Sequence, residues 1–184
     1  MMFKSHVLSF IEYRTPGLFH ACSTVLAEID RVQARFLSEI GLGEGEAMMH
    51  FNLAPLSVRR DIAMLGVIHR AVLRQGPPPL WQFFQLSEAN PLRRSARTRR
   101  HSKQIVEIPV GRHLEIWRRS AFGLVSVYNL LPQEAVNKLQ VCEFQRFLAD
   151  MVKHRFVAQE RFWALTLSTR CDVMLRRRLL QFFE

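Results

Sequence analysis

The sequence is poor in the side chains from which disulfide and thiol chemistry is built. Its 184 residues include three cysteines, Cys22, Cys142 and Cys171, which lie far apart in the chain. An odd and sparse set of this kind does not form a disulfide framework, so we expect all three thiols to be reduced. We further expect Cys22 and Cys142 to be small residues of the hydrophobic core.

Aspartate is scarce as well, with isolated residues at Asp30, Asp61, Asp150 and Asp172. Polymerases and nucleases that use two metal ions need clustered carboxylates beside the paired ions, and the sequence supplies no such cluster locally. We expect Asp30 and Asp61 to be helix-surface or capping residues. The sequence therefore predicts a protein without a catalytic centre of its own.

Motifs for metals and nucleotide cofactors are also missing. His20 and Cys22 are close together, but no second pair stands at the spacing of a zinc site. The glycines of residues 41–45 follow a predicted helix, so we interpret them as a flexible turn and not as a phosphate-binding loop. We expect no metal, cofactor or small-molecule substrate. Five further histidines are scattered and are expected to be surface or partly buried residues: His50, His69, His101, His113 and His154.

Long apolar runs are absent too. No stretch approaches the roughly 18 to 20 apolar residues that a membrane-spanning helix needs. The N-terminus has a short apolar run with Glu12 and Arg14 close behind it, unlike a secretory signal. We therefore expect a soluble intracellular protein with no membrane partner, and the nucleus is one compartment that fits.

Apolar residues recur at intervals of three and four, which predicts an all-α or predominantly α fold. The expected helices cover residues 23–41, 56–75, 133–140 and 143–157. We expect Ser23 or Thr24 to cap the first helix, with Gly41 and Gly43 ending it, and Ser57 to cap the second. Residues 118–131 fit either a strand or a helix, and residues 105–110 fit a short strand.

Positive charge is abundant, since 26 lysines and arginines against 16 acidic residues give a formal net charge of +10. Phosphate backbones are the commonest partners of such a surface, because binding releases condensed counterions. The charge is densest in residues 90–104, which we interpret as an exposed loop that contacts phosphate; a solvated loop or a nuclear-import stretch is the alternative. The candidate contacts in this loop are Arg93, Arg94, Arg97, Arg99, Arg100 and Lys103.

Four tracts of the chain resemble a known family in their order and spacing. They read IEYRTPGLFHA from Ile11, LAEIDRVQARFLSEIG from Leu26, NLAPLSVRRDIAMLGVIHR from Asn52, and YNLLPQEAVNKLQVCEFQRFL from Tyr128. Together they are similar to the region that follows the palm in reverse transcriptases of non-LTR retrotransposons of the LINE-like, jockey type. The resemblance covers about residues 3 to 156.

The resemblance implies a helical thumb and adjoining segment that hold a primer–template duplex. Arg59 and Arg60 fall in a matching tract and are further candidate nucleic-acid contacts, on a helix whose apolar stripe they largely avoid. The paired aspartates of the family's palm, in a Tyr-x-Asp-Asp turn, do not occur in this sequence. We expect a thumb-like domain over residues 1–157, with the basic loop within it, followed by a helix-compatible tail over 158–184 that matches nothing in the family.

The leading hypothesis is accordingly a nucleic-acid-binding thumb fragment that contacts the backbone of RNA or DNA and is not itself an enzyme. One alternative is a stand-alone helical module that binds proteins. Another is an expressed remnant of a decayed element. The sequence leaves the oligomeric state and the choice between RNA and DNA open.

Overall fold

The computed structural model describes residues 2–87, 101–107 and 114–169, and these residues form an all-α fold. A π-helical turn, Phe3–Leu8, opens the chain, and two 3₁₀ turns lie at Ala121–Leu124 and Trp163–Leu165. The α-helices in chain order are α1 Ser9–Tyr13, α2 Thr15–Leu18, α3 Ser23–Glu39, α4 Glu44–Phe51, α5 Leu56–Val72, α6 Pro78–Phe83, α7 Leu114–Arg118, α8 Val125–Tyr128, α9 Gln133–Val136 and α10 Val141–Val157.

The long helices α3, α5 and α10 confirm three of the predicted segments. The end of α3 also follows the prediction, because Gly41 adopts a left-handed φ of 68°. The Leu42 N–H donates to the Leu37 carbonyl at 3.0 Å, and the Gly41 N–H donates to Ser38 at 3.2 Å. These two bonds are the Schellman pattern that satisfies the last carbonyls of a helix.

The interpretation of residues 41–45 as a flexible turn is wrong beyond Leu42. Gly43 has a φ of −71° and is the N-cap of α4, whose first turn carries Glu44 and Glu46. Carboxylates at that end of a helix interact favourably with its dipole. Gly45 lies close to Phe156, since a Cβ there would meet a ring carbon of that side chain, which would have to shift.

Two predicted caps and two predicted core residues need correction. Cys22 is the N-cap of α3 and Pro55 is the N-cap of α5, so both helices begin before the hydroxyl residues expected there. Cys22 and Cys142 are exposed free thiols and not core residues. The pKa of the Cys22 thiol is lowered, mainly because the Val25 backbone N–H at the start of α3 stabilises the thiolate.

The second half of the chain is helical where the sequence was ambiguous. Residues 118–131 contain a 3₁₀ turn followed by α8, and the helix expected over 133–140 is the short α9. Of the strand predicted over 105–110, Ile105 forms one antiparallel bridge with Leu86. Residues 108–110 lie outside the described part of the chain.

Helix α5 connects two hydrophobic clusters. Its first residue, Leu56, packs in a smaller cluster with Leu8, Leu37, Ala47 and Leu53. From Val58 onward the buried apolar residues of α5 join the main core, which includes side chains of α8, α9 and α10. Because so much of its surface faces protein, α5 buries polar residues as well as apolar ones.

The described part of the tail contributes to this core. Leu167 is buried in the main cluster, Trp163 packs against it, and Thr166 is buried beside them. The hydrophobic core therefore continues past the predicted domain boundary at residue 157. Across the described residues, every helix is too short or too polar to span a bilayer.

Candidate nucleic-acid interface

The predicted phosphate-binding loop is held together at its base. Arg93, Arg94, Arg97, Arg99 and Arg100 lie outside the described residues, but the chain on either side of them is described. The Ser87 N–H donates to the Gln104 carbonyl at 2.8 Å, and the Val106 N–H donates to Gln85 at 2.9 Å. These bonds flank the Leu86–Ile105 bridge. Residues 85–87 and 104–106, which precede and follow the five arginines, are thus paired in antiparallel fashion.

Asn129, at the end of α8, fixes the returning chain to the helical core. Its side-chain oxygen accepts the Ile105 N–H at 2.8 Å, and its amide nitrogen donates to the Ile105 carbonyl at 2.9 Å. The amide thus bonds both backbone groups of one residue, as a neighbouring strand would. The Ile105 side chain is buried in the main core.

His101 provides a second attachment. Its Nε2 lies 3.0 Å from the Tyr128 carbonyl, which can only accept, so Nε2 carries the proton. Its Nδ1 then accepts the Lys103 N–H at 3.2 Å. The ring also meets the Tyr128 ring edge-on, with centroids 5.6 Å apart. His101 is buried, which corrects the expectation of a surface or partly buried residue.

The same tyrosine contacts His69 of α5 through its hydroxyl group. Oη of Tyr128 is 2.9 Å from His69 Nδ1, and the Lys138 carbonyl is 2.7 Å from Nε2. The imidazole stacks on Phe144 of α10, with centroids 4.1 Å apart. Burial lowers the pKa of His69 and raises the pKa of Tyr128, so both groups are neutral. We call His69, His101, Lys103, Tyr128 and Asn129 the anchor network.

Lys103 belongs to this network through its ammonium group, which donates to the Val136 carbonyl at 2.7 Å near the end of α9. Burial lowers the pKa of the Lys103 amine. The charge of Lys103 in turn adds to the lowering of the His69 pKa, after the larger effect of burial. Lys103 therefore holds the base of the loop, and its predicted contact with phosphate stays a prediction.

Arg59 and Arg60 make ion pairs within the fold. Arg60 is buried, and its guanidinium binds Asp30 of α3 through both carboxylate oxygens, at 2.5 and 2.9 Å. Arg59 pairs with Glu12 of α1 and donates to the Asn52 carbonyl at 3.0 Å. Arg60 was expected off the buried stripe and Asp61 near the surface, yet both are buried on α5. Contact of either arginine with phosphate stays a prediction.

Side chains that could hold a metal are dispersed. Within the described ranges, no three histidine, cysteine or acidic side chains come together as a potential metal site. The carboxylate of Asp30 is engaged with Arg60, as its position on the helix surface permits. Comparisons with family models, curated proteins and solved structures give no match to this chain.

Sequence reasoning missed most of the anchor network. His69 had a detectable signal, because it lies between Leu65 and Val72 at helical spacing and so falls on the buried face of α5. Tyr128 and Asn129 follow the apolar residues of α8, and only the tertiary structure brings them to His69 and Ile105. No local pattern indicated that pairing.

Proposed function

We propose that this protein binds the sugar–phosphate backbone of nucleic acids through the arginine segment Arg93–Arg100, as a non-catalytic, thumb-like module. The net charge of +10 favours a polyanionic partner, because each neutralised phosphate releases counterions. Guanidinium groups match phosphate geometry through paired hydrogen bonds. Such contacts carry no sequence information directly, so binding is expected to discriminate weakly between sequences.

The observation that carries the proposal is the backbone pairing of residues 85–87 with residues 104–106, on the two sides of the arginine segment. Five arginines stand between Ser87 and His101, and the flanking chain is joined by backbone bonds and by both polar atoms of the Asn129 amide. The described residues on both sides of these arginines are therefore attached to the helical core, through Phe84 on one side and Ile105 on the other.

The resemblance to the post-palm region of non-LTR retrotransposon reverse transcriptases supplies the proposed partner, a primer–template duplex. The all-α fold is compatible with a thumb of that kind. On this proposal, the segment Arg93–Arg100 grips the duplex backbone and the anchor network holds the base of the segment to the helices.

The test is the salt dependence of binding to B-form DNA. The logarithm of affinity falls with the logarithm of salt concentration by about 0.9 per phosphate contacted. If the segment makes three or four contacts, changing Arg93, Arg94, Arg97, Arg99 and Arg100 to glutamine flattens the slope by roughly 3. Affinity should fall by a similar factor on unrelated sequences.

A control variant with the same loss of charge separates local contact from net charge. Its arginine-to-glutamine changes fall on exposed helical or helix-end positions, namely Arg31, Arg35, Arg70, Arg74 and Arg146. We expect the control to retain most of the wild-type slope. Equal salt slopes in the two variants would overturn the proposal, because binding would then depend on the net charge of the protein and not on the position of the arginines. The protein-interaction module would become the better hypothesis.

We also propose that the chain has no polymerase activity of its own, because its four isolated aspartates include no pair able to hold two metal ions. Primer extension with magnesium and deoxynucleotides measures this directly. Extension that survives the removal of contaminating polymerases would refute this proposal.

A further inference from the structure

The turn after α10 contains a backbone conformation that helix capping does not explain. Gln159 has a φ of 54°, and it belongs to the end of α10, since the Glu160 N–H donates to Arg155 at 3.1 Å. Phe162 has a φ of 72° and lies outside that motif, immediately before the 3₁₀ turn Trp163–Leu165. A bulky residue in the left-handed region is a strained outlier, and such residues cluster at binding sites.

This turn surrounds an open depression of about 570 Å³. Three of its seven lining residues are aromatic. Phe162 is 41% exposed, and the rings of Phe156 and Trp163 meet nearly edge-on with centroids 5.1 Å apart. The remaining lining comes from Val157, Gln159, Glu160 and Arg161. The strained backbone thus presents a large apolar ring to solvent when burial would otherwise be favoured.

The polar groups around the depression have a specific arrangement. The Arg161 guanidinium carbon lies 4.9 Å from the centroid of the Phe162 ring, and the Arg161 side chain is exposed. Glu160 is only partly exposed and lies 3.3 Å from Arg155, to which it forms an ion pair. Arg161 therefore covers one face of the Phe162 ring, and the other lining residues add a carboxylate and an amide group.

We propose that this depression, lined by residues 156–163, binds one unpaired nucleobase of a single-stranded nucleic acid. A base has a flat π-face that can stack on the face of Phe162 opposite Arg161, and the exposed Arg161 can pair with the adjoining phosphate. Glu160 and Gln159 can accept or donate hydrogen bonds at the edge of the base. The positive charge of the chain suits this ligand. The proposal rests on the proposed nucleic-acid function and adds a single-strand site to it.

The experiment compares two short strands of equal length and phosphate number, an oligothymidylate and its abasic analogue. Stacking of one base on an aromatic ring contributes about 1–3 kcal/mol, so the wild-type protein should bind the oligothymidylate about fivefold or more tightly. Phe162→Leu should remove this difference and leave binding to the abasic strand and to duplex DNA unchanged. The leucine keeps an apolar side chain at the strained position.

A matched control is available at Phe10, which is also exposed and has an arginine, Arg14, 4.3 Å from its ring centroid. We expect Phe10→Leu to retain the preference for the oligothymidylate. Equal wild-type affinities for the two strands would overturn this inference, and that comparison needs no variant to fold. If the wild-type protein still binds duplex DNA in that case, the proposed function stands. If it binds neither duplex nor single strands, both the proposed function and this inference fail.

Discussion

The hydroxyl of Tyr128 and Nδ1 of His69 lie 2.9 Å apart between α8 and α5, with both side chains fully buried. The direction of this hydrogen bond follows from its neighbour. Because the Lys138 carbonyl, 2.7 Å from Nε2, can only accept, Nε2 carries the proton and Nδ1 accepts from the tyrosine. One neutral imidazole therefore links α5, α8 and the chain that leaves α9.

Removing the Tyr128 hydroxyl should destabilise the protein. Tyr128→Phe preserves the ring but leaves the buried Nδ1 of His69 without a donor, which costs about 1–3 kcal/mol. Urea unfolding measures the loss as a lower midpoint at constant slope. The control is Tyr13→Phe, because Tyr13 is 88% exposed and its change should stay within about 0.5 kcal/mol. Equal stabilities of the two variants would contradict the assigned bond.

Acid should destabilise the protein through His69. Burial holds the pKa of His69 below its ordinary value, so the unfolded chain takes up a proton before the folded chain does. The contribution of neutral, buried His69 to the free energy of unfolding is fully present above the unfolded pKa of about 6.5. It falls as the pH decreases, by at most about 1.4 kcal/mol per pH unit.

Unfolding in urea across that pH range tests the assignment to His69. His69→Gln should flatten the dependence between about pH 7 and 5, although the variant is less stable at neutral pH. The exposed His154 is the control, and His154→Gln should keep the wild-type dependence. A wild-type slope in His69→Gln would assign the acid sensitivity to other groups.

Glycines at two close contacts should respond differently to alanine. A Cβ at Gly123 would lie 2.7 Å from the Trp117 carbonyl oxygen, which belongs to the backbone and cannot move easily. Gly123→Ala should therefore cost about 1–3 kcal/mol. At Gly66 the nearest atom is the Gln145 amide nitrogen, 2.4 Å away at the end of a flexible side chain. Gly66→Ala should cost less, because Gln145 can shift and α5 gains helix propensity.

Thermal melts rank these glycine variants against Gly17→Ala, for which no atom lies within 4 Å of the added Cβ. In a domain of this size, each kcal/mol lowers the melting temperature by about 2–4 °C. We expect Gly123→Ala to melt lowest. A melting temperature for Gly66→Ala below that of Gly123→Ala would show that Gln145 is held rigidly.

Arg60 should affect stability more than binding. Its side chain is 5% exposed and grips Asp30 through two hydrogen bonds. Arg60→Gln removes the buried guanidinium charge that pairs with Asp30, and it should destabilise the fold by about 1–3 kcal/mol. The salt slope of DNA binding should be unchanged. Arg35→Gln, on the exposed face of α3, is the stability control. A flattened slope in Arg60→Gln would support the sequence prediction that this residue contacts phosphate.

Periodicity predicted the long helices because their burial is one-sided. Helices α3 and α10 each bury a narrow stripe, so apolar residues recur at helical spacing. The same logic failed for α4, whose Gly43 and Gly45 resemble turn residues. Gly45 lies close to the Phe156 ring, more than a hundred residues later in the chain, and the local sequence does not indicate that contact.

The polar interior was the least predictable part of the molecule. Arg60 looked like a surface residue because its partner, Asp30, lies on another helix. His69 is paired with a tyrosine 59 residues away, and the sequence near His69 holds no trace of that contact. Composition did indicate the arginine segment, because clustered like charges are visible without knowledge of the fold.

The hydrogen bond between Ser87 and Gln104 brings the chain together on the two sides of residues 88–100. Closing a longer loop costs only about 0.6 kcal/mol for each doubling of its length. A change in the length of that stretch should therefore add little to the free energy of closing it. Binding properties can diverge there while the scaffold is conserved, and foreign peptide sequences could be grafted between the same two ends.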